Sequence, residues 1–502
     1  MSSPDNPGTL FLNQKREKKS MGKIKNGLVA FFKAIGGFFK RFGTAIGKGD
    51  PFVKMSPVLW GAGYIRRKQI IKGILVTAIE AAIVLYSVLV APKYVSKFST
   101  LGTIEQGEPK YNPVTMQNEF VANADNSFMI LLISLITFVI WIATAAFLMI
   151  NTIASYELQK KAEKGLHVNS FIEDVKELVN HKFHITLLFL PVLGILLFTI
   201  IPLLIMILVA FTNYSPGHLP PKNLFTWVGF DNFVKLFSSG GLTVTFGYTF
   251  VRVLSWTLVW ALFATLTTYI GGILLSMLIN NKKTKLPKMW RVLFVVTIAV
   301  PQFVSLLLVR QFFADNGIVN TICREIGLTE LLRDAGLIKT AFIPFLSAPI
   351  WMHVMIILIN IWVGVPYQML IATGVLMNIP SEQLESARID GANPRQIFWK
   401  ITMPYMLFIT GPTLVTDFIK NINNFNVIYL LTSAYKSADM KLASSSANEA
   451  SLLVTWLFSL TQDDQRYNIA STIGIIVFLI SAVVTLLAFN QMIKGDREEA
   501  FR

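Results

Sequence analysis

Two groups of polar side chains stand inside long apolar runs, where an unsatisfied donor or acceptor is expensive and needs a reason. The first is the stripe Asp417, Lys420, Asn421 and Asn424, in D-F-I-K-N-I-N-N-F. Counted from Pro404 along a helix, it begins roughly 20 Å into its run, and i,i+3 spacing puts Asp417 and Lys420 on one face, close enough to pair. The second is Asn360, Gly364 and Tyr367, again on one face, in N-I-W-V-G-V-P-Y. Glycine there lets a ligand approach the backbone, and Pro366 loosens the helix, as in the discontinuous helices that surround transported solutes. Amides and a phenol beside the Trp362 indole suit a sugar, which presents hydroxyl rims and apolar ring faces. The same asparagines would also serve as plain interhelical hydrogen bonders, so the residues alone leave both roles open.

Nothing in the sequence assembles a catalytic or metal site. The single cysteine, Cys323, excludes an intramolecular disulfide and a cysteine cluster, and the five histidines show no ligand pair at helical spacing. Gly43 to Gly49, G-T-A-I-G-K-G, is one residue short of a phosphate loop and lacks the Ser or Thr that would hold magnesium after Lys48. The chain is expected to hold no cofactor and to be no enzyme.

A third polar stretch, Pro380 to Pro404, lies between two long apolar runs and must be a loop on one membrane face. Ser381 as N-cap, with Gln383 and Glu385 in the first turn, predicts a helix over 381–390 that Gly391 ends. The turn chemistry of Asp390-Gly391 and Asn393-Pro394 then starts a second helix with Pro394 at its first position, making a compact knob. Within this loop Glu385, Ser386, Ala387, Gly391, Ile401 and Pro404 reproduce the spacing E-A-A-x3-G-x9-I-x-L-P, with Ser386 for Ala and Met403 for Leu. That spacing resembles the cytoplasmic loop of ABC importer permeases.

In that family the knob is the coupling helix that docks into a separate ATPase subunit, which gives Glu385, Ala387, Asp390, Gly391, Ile401 and Pro404 a coupling role here. The resemblance extends to the polar stripes. The N-x-x-N-F element at Asn421, Asn424 and Phe425 and the stretch around Asn360, Gly364 and Tyr367 are similar to the mid-membrane sugar site of the larger permease of the maltose/maltodextrin class. It covers the chain from about residue 185 onward, most specifically 360–425. Asp417 and Lys420 depart from it, since they replace uncharged positions, and the outer loop between the third and fourth spans lacks the large domain that some relatives carry.

The elements that must position these residues are apolar helices. The chain has 502 residues, of which 53% are hydrophobic and 15% charged, with mean hydropathy +0.55, too apolar for a soluble domain. Runs long enough to cross about 30 Å of hydrocarbon fall near 70–91, 127–150, 185–211, 250–279, 291–314, 350–376, 402–432 and 469–490. An all-α polytopic membrane protein with about eight transmembrane helices follows. With the N-terminus inside, the inner segments hold 30 Lys and Arg and the outer loops 11, which puts both termini and Glu385 in the cytoplasm. Of the 45 basic residues, 14 lie in residues 1–69 beside three acids, a distribution suited to a membrane surface and not to nucleic acid.

Residues 1–26 are polar and expected to be disordered. Phe31, Ile35, Phe38 and Phe42 recur at helical spacing among Lys33, Lys40 and Arg41, as in a basic helix lying on the inner leaflet or facing a partner. Lys72, Arg252 and Arg310 lie near span ends, where snorkelling explains them. Glu80, deeper in its span, has no legible role, and the charges of 151–184 read as a solvated connection. The domains expected are a basic extension (1–69), two additional spans with their connection (70–184) and a six-helix permease core (185–502) carrying the loop 380–404.

The family resemblance implies a permease subunit of an ATP-driven oligosaccharide importer in the bacterial plasma membrane. Its implied partners are a second permease in a heterodimer, two ATPase subunits that use ATP and magnesium, an extracellular sugar-binding protein and the sugar itself. An ion-coupled secondary transporter using Asp417 and Lys420, or a permease for a non-sugar solute, are the alternatives.

Overall fold

The computed structural model describes residues 29–30, 33–113, 116–121, 123–238, 246–281 and 283–494, so the stretch 1–26 and Phe31 lie outside it. Regular structure is helical almost throughout; the one sheet among the described residues is an antiparallel hairpin, Lys110–Asn112 with Gln117–Glu119. Six helices there are long and apolar enough to cross a membrane: Ile70–Val95, Ser127–Glu163, Phe183–Val209, Phe246–Ile279, Pro349–Leu376 and Tyr467–Ala488.

Two of the eight expected runs are not continuous spans. The run 291–314 belongs to a pair, Pro287–Ala299 and Gln302–Phe312, bent by 93°. Val300 is extended there, as a residue before proline tends to be, and Pro301 starts the next helix. The run 402–432 divides into Met403–Ile422 and Phe425–Thr432. Asp417, Lys420 and Asn421 leave its longer piece outside the set of helices apolar enough to span. Among the described residues six helices are long and apolar enough to span, or seven with the bent pair, so the structure bears out six or seven of the eight expected runs.

Chain contacts divide the protein into two units, Met1–Ile205 and Met206–Arg502. In the first, the helix over 33–48 is fastened at its end by Ala45, buried with Val53 and Tyr156, and by an Arg41 to Glu157 ion pair of 2.6 Å. Ile35 and Phe39 stay exposed. The phosphate-loop look-alike is part of this helix, which removes it as a cradle.

Residues 50–69 then form a wedge that hydropathy and motif spacing do not disclose. Asp50 caps the Pro51–Met55 helix, accepting from the Val53 N–H, and pairs with the buried Arg67 at 2.9 Å. The turn at Trp60 is held from both sides. Glu80 accepts the Trp60 N–H at 2.8 Å, and Asn151 donates to the Trp60 carbonyl at 3.0 Å. Glycines make this approach possible: a Cβ on Gly61 would come 2.2 Å from the Gly73 carbonyl oxygen, and one on Gly63 would come 1.6 Å from the Ser155 Oγ. Glu80 is therefore a backbone acceptor. Lys72 is an ion-pair partner of Asp174 at 2.6 Å, so it does more than snorkel and the 151–184 connection is more than solvated surface. The Lys72 ammonium also lies 4.9 Å from the Tyr64 ring centre, and burial, aided by Asp174, pushes the Tyr64 phenol up to about 12.

The second unit is built around Phe246–Ile279, which packs along Pro349–Leu376. Its core carries Trp260, Met352, Ile356 and Val427, all fully buried. Close packing again rests on small residues, since a Cβ on Gly272 would meet Gln368 at 2.4 Å and one on Gly364 would meet Thr268 at 2.7 Å. Arg310, expected to snorkel, donates to the Ser433 hydroxyl at 3.2 Å.

Candidate functional site

Both polar stripes open on one cavity of about 340 Å³ inside the second unit. It sits where helices are interrupted. The Met403–Ile422 helix ends at Asn423, and Asn424 starts the next one by accepting the Val427 N–H at 3.3 Å. Gln302, at the start of the Gln302–Phe312 helix, takes the Asn426 amide at 3.3 Å. Interrupted helices leave end groups that side chains must satisfy, which explains why asparagine is so frequent here. The Asn421 carbonyl accepts the Trp260 indole N–H at 3.1 Å, and the Asn421 amide donates to Thr265 at 2.9 Å.

Asn360, Gly364, Tyr367, Asp417, Lys420, Asn421 and Asn424 all line this cavity, as do Thr268, Gln302, Gln368, Asn423, Phe425 and Asn426. Asp417 and Lys420 share the face their spacing predicts, yet they do not pair. Asp417 Oδ2 accepts from the Gln368 amide at 2.6 Å, and the Lys420 ammonium lies 6.0 Å from the Tyr367 ring centre. Asn360 is buried and makes no side-chain hydrogen bond among the described residues, so its amide is available to the cavity. Gly364 has a packing reason as well, because its Cβ direction points at Thr268. Trp362 is half-exposed and lies outside the lining; Tyr367 and Phe425 supply the aromatic faces instead. Gln368 is a lining residue that the sequence patterns did not single out, and its place four positions after Gly364, on the same helical face, was the available signal.

The loop 380–404 folds as a knob. Its first helix is Ser381–Ile389 with Pro380 at the cap, so Ser381 is the first helical residue and not the N-cap. Gly391 turns the chain at φ +80°, and a Cβ added there would meet nothing within 4 Å; its need is for the left-handed backbone, not for space. Asn393 and Gln396 form a reciprocal capping box on Pro394–Ile397, each bond 2.9 Å. Glu385, Asp390 and Gly391 are exposed, while Ala387, Ile401 and Pro404 are half-buried. Ile389 and Trp399 are 85% and 59% exposed, a pair of apolar projections on an otherwise polar knob.

Residues 269–493 match the family described as binding-protein-dependent transport system inner membrane component. The maltodextrin transport system permease protein MalC of Streptococcus pneumoniae is 29% identical over 445 residues, 88% of this chain and 96% of that one. The galactooligosaccharides transport system permease protein GanP of Bacillus subtilis is 30% identical over 379 residues, 75% of this chain and 85% of that one. The maltose/maltodextrin transport system permease protein MalF of Klebsiella aerogenes is 30% identical over 276 residues, 54% of this chain and 49% of that one. With likeness of that extent carried on a polytopic helical fold, the chain belongs to the binding-protein-dependent transport system inner membrane components, the permeases of ABC importers.

Proposed function

We propose that this permease forms part of the path by which an ATP-driven importer moves an oligosaccharide of the maltodextrin type. The observation that carries it is the cavity at interrupted helices, lined by amides, a phenol and aromatic faces. A sugar leaving water must exchange many hydrogen bonds at once, and such a lining offers donors and acceptors beside apolar ring platforms. Relatives named for maltodextrin and galactooligosaccharide transport support this class of solute.

In this reading the knob at 380–404 docks on an ATPase subunit, with Ile389 and Trp399 entering its cleft beside Glu385, Asp390 and Gly391. ATP and magnesium are used by two such subunits and not by this chain. A second permease completes the path, an extracellular binding protein delivers the sugar, and access alternates between the two faces. The excess of basic residues on the inner segments supports cytoplasmic termini in a bacterial plasma membrane.

Asn360 gives the cleanest test, because its amide has no partner among the described residues to lose, whereas Asn424 also caps a helix. Asn360→Ala and Tyr367→Ala should abolish uptake of labelled maltodextrin while the purified complex keeps its subunit composition. Full uptake by both variants would overturn the assignment.

A further inference from the structure

Asp417 and Lys420 are the two charged side chains among the described residues that line the cavity, and they do not pair with each other. The Gln368 amide fixes the carboxylate through Oδ2 at 2.6 Å and leaves Oδ1 without a hydrogen bond from a described residue. Gln368 is itself buried at a place where Gly272 packs against its Cβ, so the amide is held in position. The Lys420 ammonium has no carboxylate partner within ion-pair distance among the described residues, and it lies 6.0 Å from the Tyr367 ring centre. The rest of the polar lining consists of amides and hydroxyls.

We infer that Asp417 and Lys420 read the charge of the solute, so that the cavity takes a neutral oligosaccharide and rejects both uronate-bearing and amino-sugar chains. This rests on the reading of the cavity as a sugar site. A hydroxyl both donates and accepts, so neighbouring hydroxyls of a neutral ring satisfy a fixed acceptor and a fixed donor together, through charge-assisted hydrogen bonds. A charged sugar brings a third ion into a cavity whose own two charges sum to zero. A uronate that reaches Lys420 stands one helical step from Asp417, and an ammonium that reaches Asp417 stands one step from Lys420. In either case one charge is left uncompensated away from bulk water, which is where discrimination is strongest. Gln368 acts through Asp417 and is a positioning residue.

The test is equilibrium dialysis of three labelled sugars of matched length, maltotriose, trigalacturonate and the trimer of glucosamine, against the complete purified transporter without its binding protein. The wild type should prefer maltotriose over both charged trimers by about tenfold or more, the scale set by a polar group left unpaired. Asp417→Asn should narrow that gap for the uronate, and Lys420→Gln should narrow it for the amino sugar. Asp417→Glu should keep the wild-type order. Single variants that leave the order unchanged within about twofold, with maltotriose still bound, would overturn the charge reading alone. A wild type that binds none of the three would overturn the oligosaccharide reading and this inference with it. Should one single variant fail to assemble, the other decides.

Discussion

Glu80 shows how a charged residue in an apolar helix is explained by what it accepts. Changing it to Ala would leave the Trp60 N–H without its acceptor, at a cost of about 1–3 kcal/mol. Thermal unfolding of the purified protein should show the loss for Glu80→Ala and most of it recovered for Glu80→Gln, which keeps an oxygen; equal melting of all three would remove the role. Asp125, in the loop before the Ser127–Glu163 helix, offers a pH test. Burial works against its charge, but Lys97 at 2.5 Å and the N–H groups of Thr103 and Ile104 outweigh it and hold the carboxyl below its ordinary 3.8. A depressed carboxyl stabilises the fold above its unfolded value and loses that contribution as pH falls through the folded one. Acid proteolysis of loop 99–125 should therefore rise sharply below about pH 4 in the wild type, whereas Asp125→Asn should be cut at neutral pH already. A flat profile in the wild type would contradict it. At this scale the polar stripes were legible, because side chains at fixed helical spacing declare a shared face. The partners of Glu80 and Lys72 were not, since they come from turns whose placement depends on packing between distant segments.

Helix ends in the loop 380–404 follow from local chemistry, and sequence shows them well: Pro394 at the first position and Gly391 at the turn both stand where their backbone preferences put them. Because a side chain at Gly391 has space but not conformation, the outcome of substitution depends on the residue. Gly391→Val should strain the left-handed turn by roughly 1–2 kcal/mol and lower transport relative to ATP hydrolysis, while Gly391→Asn, which tolerates that region, should stay close to wild type. The ratio of sugar moved to ATP hydrolysed in proteoliposomes checks this, and equal ratios for the two variants would argue against a conformational role. The breaks at Pro301 and Asn423 were less visible. A long apolar run reads as one span by hydropathy, and only the asparagines at 421, 423 and 424, which compete with the helix for their own backbone, mark the second interruption.

At the scale of the whole molecule, the wedge 50–69 makes the boundary of the N-terminal region a physical one. Removing residues 1–48 takes away the helix over 33–48, with its anchors Ala45 and Arg41, but leaves Asp50, Trp60, Arg67 and their partners in place. Removal through residue 69 strips Glu80, Asn151 and Gly73 of what they pack against. The shorter truncation should purify with only the small loss of melting temperature that uncovering Val53 and Tyr156 brings, and the longer one should lose both yield and melting temperature; similar behaviour of the two would show the wedge to be dispensable. The polar face of Met403–Ile422 carries a consequence for how the protein is made. An aspartate and a lysine in the last two turns of this helix disfavour its entry into the bilayer, each by at most roughly 2.5–3.5 kcal/mol, the cost at a bilayer centre. Its partners on both sides in sequence, Pro349–Leu376 before it and Tyr467–Lys494 after it, are strongly apolar and pack against it. The polar face proposed to hold the sugar is thus carried by a helix whose place in the bilayer depends on strongly apolar neighbours, one of them more than forty residues further along the chain.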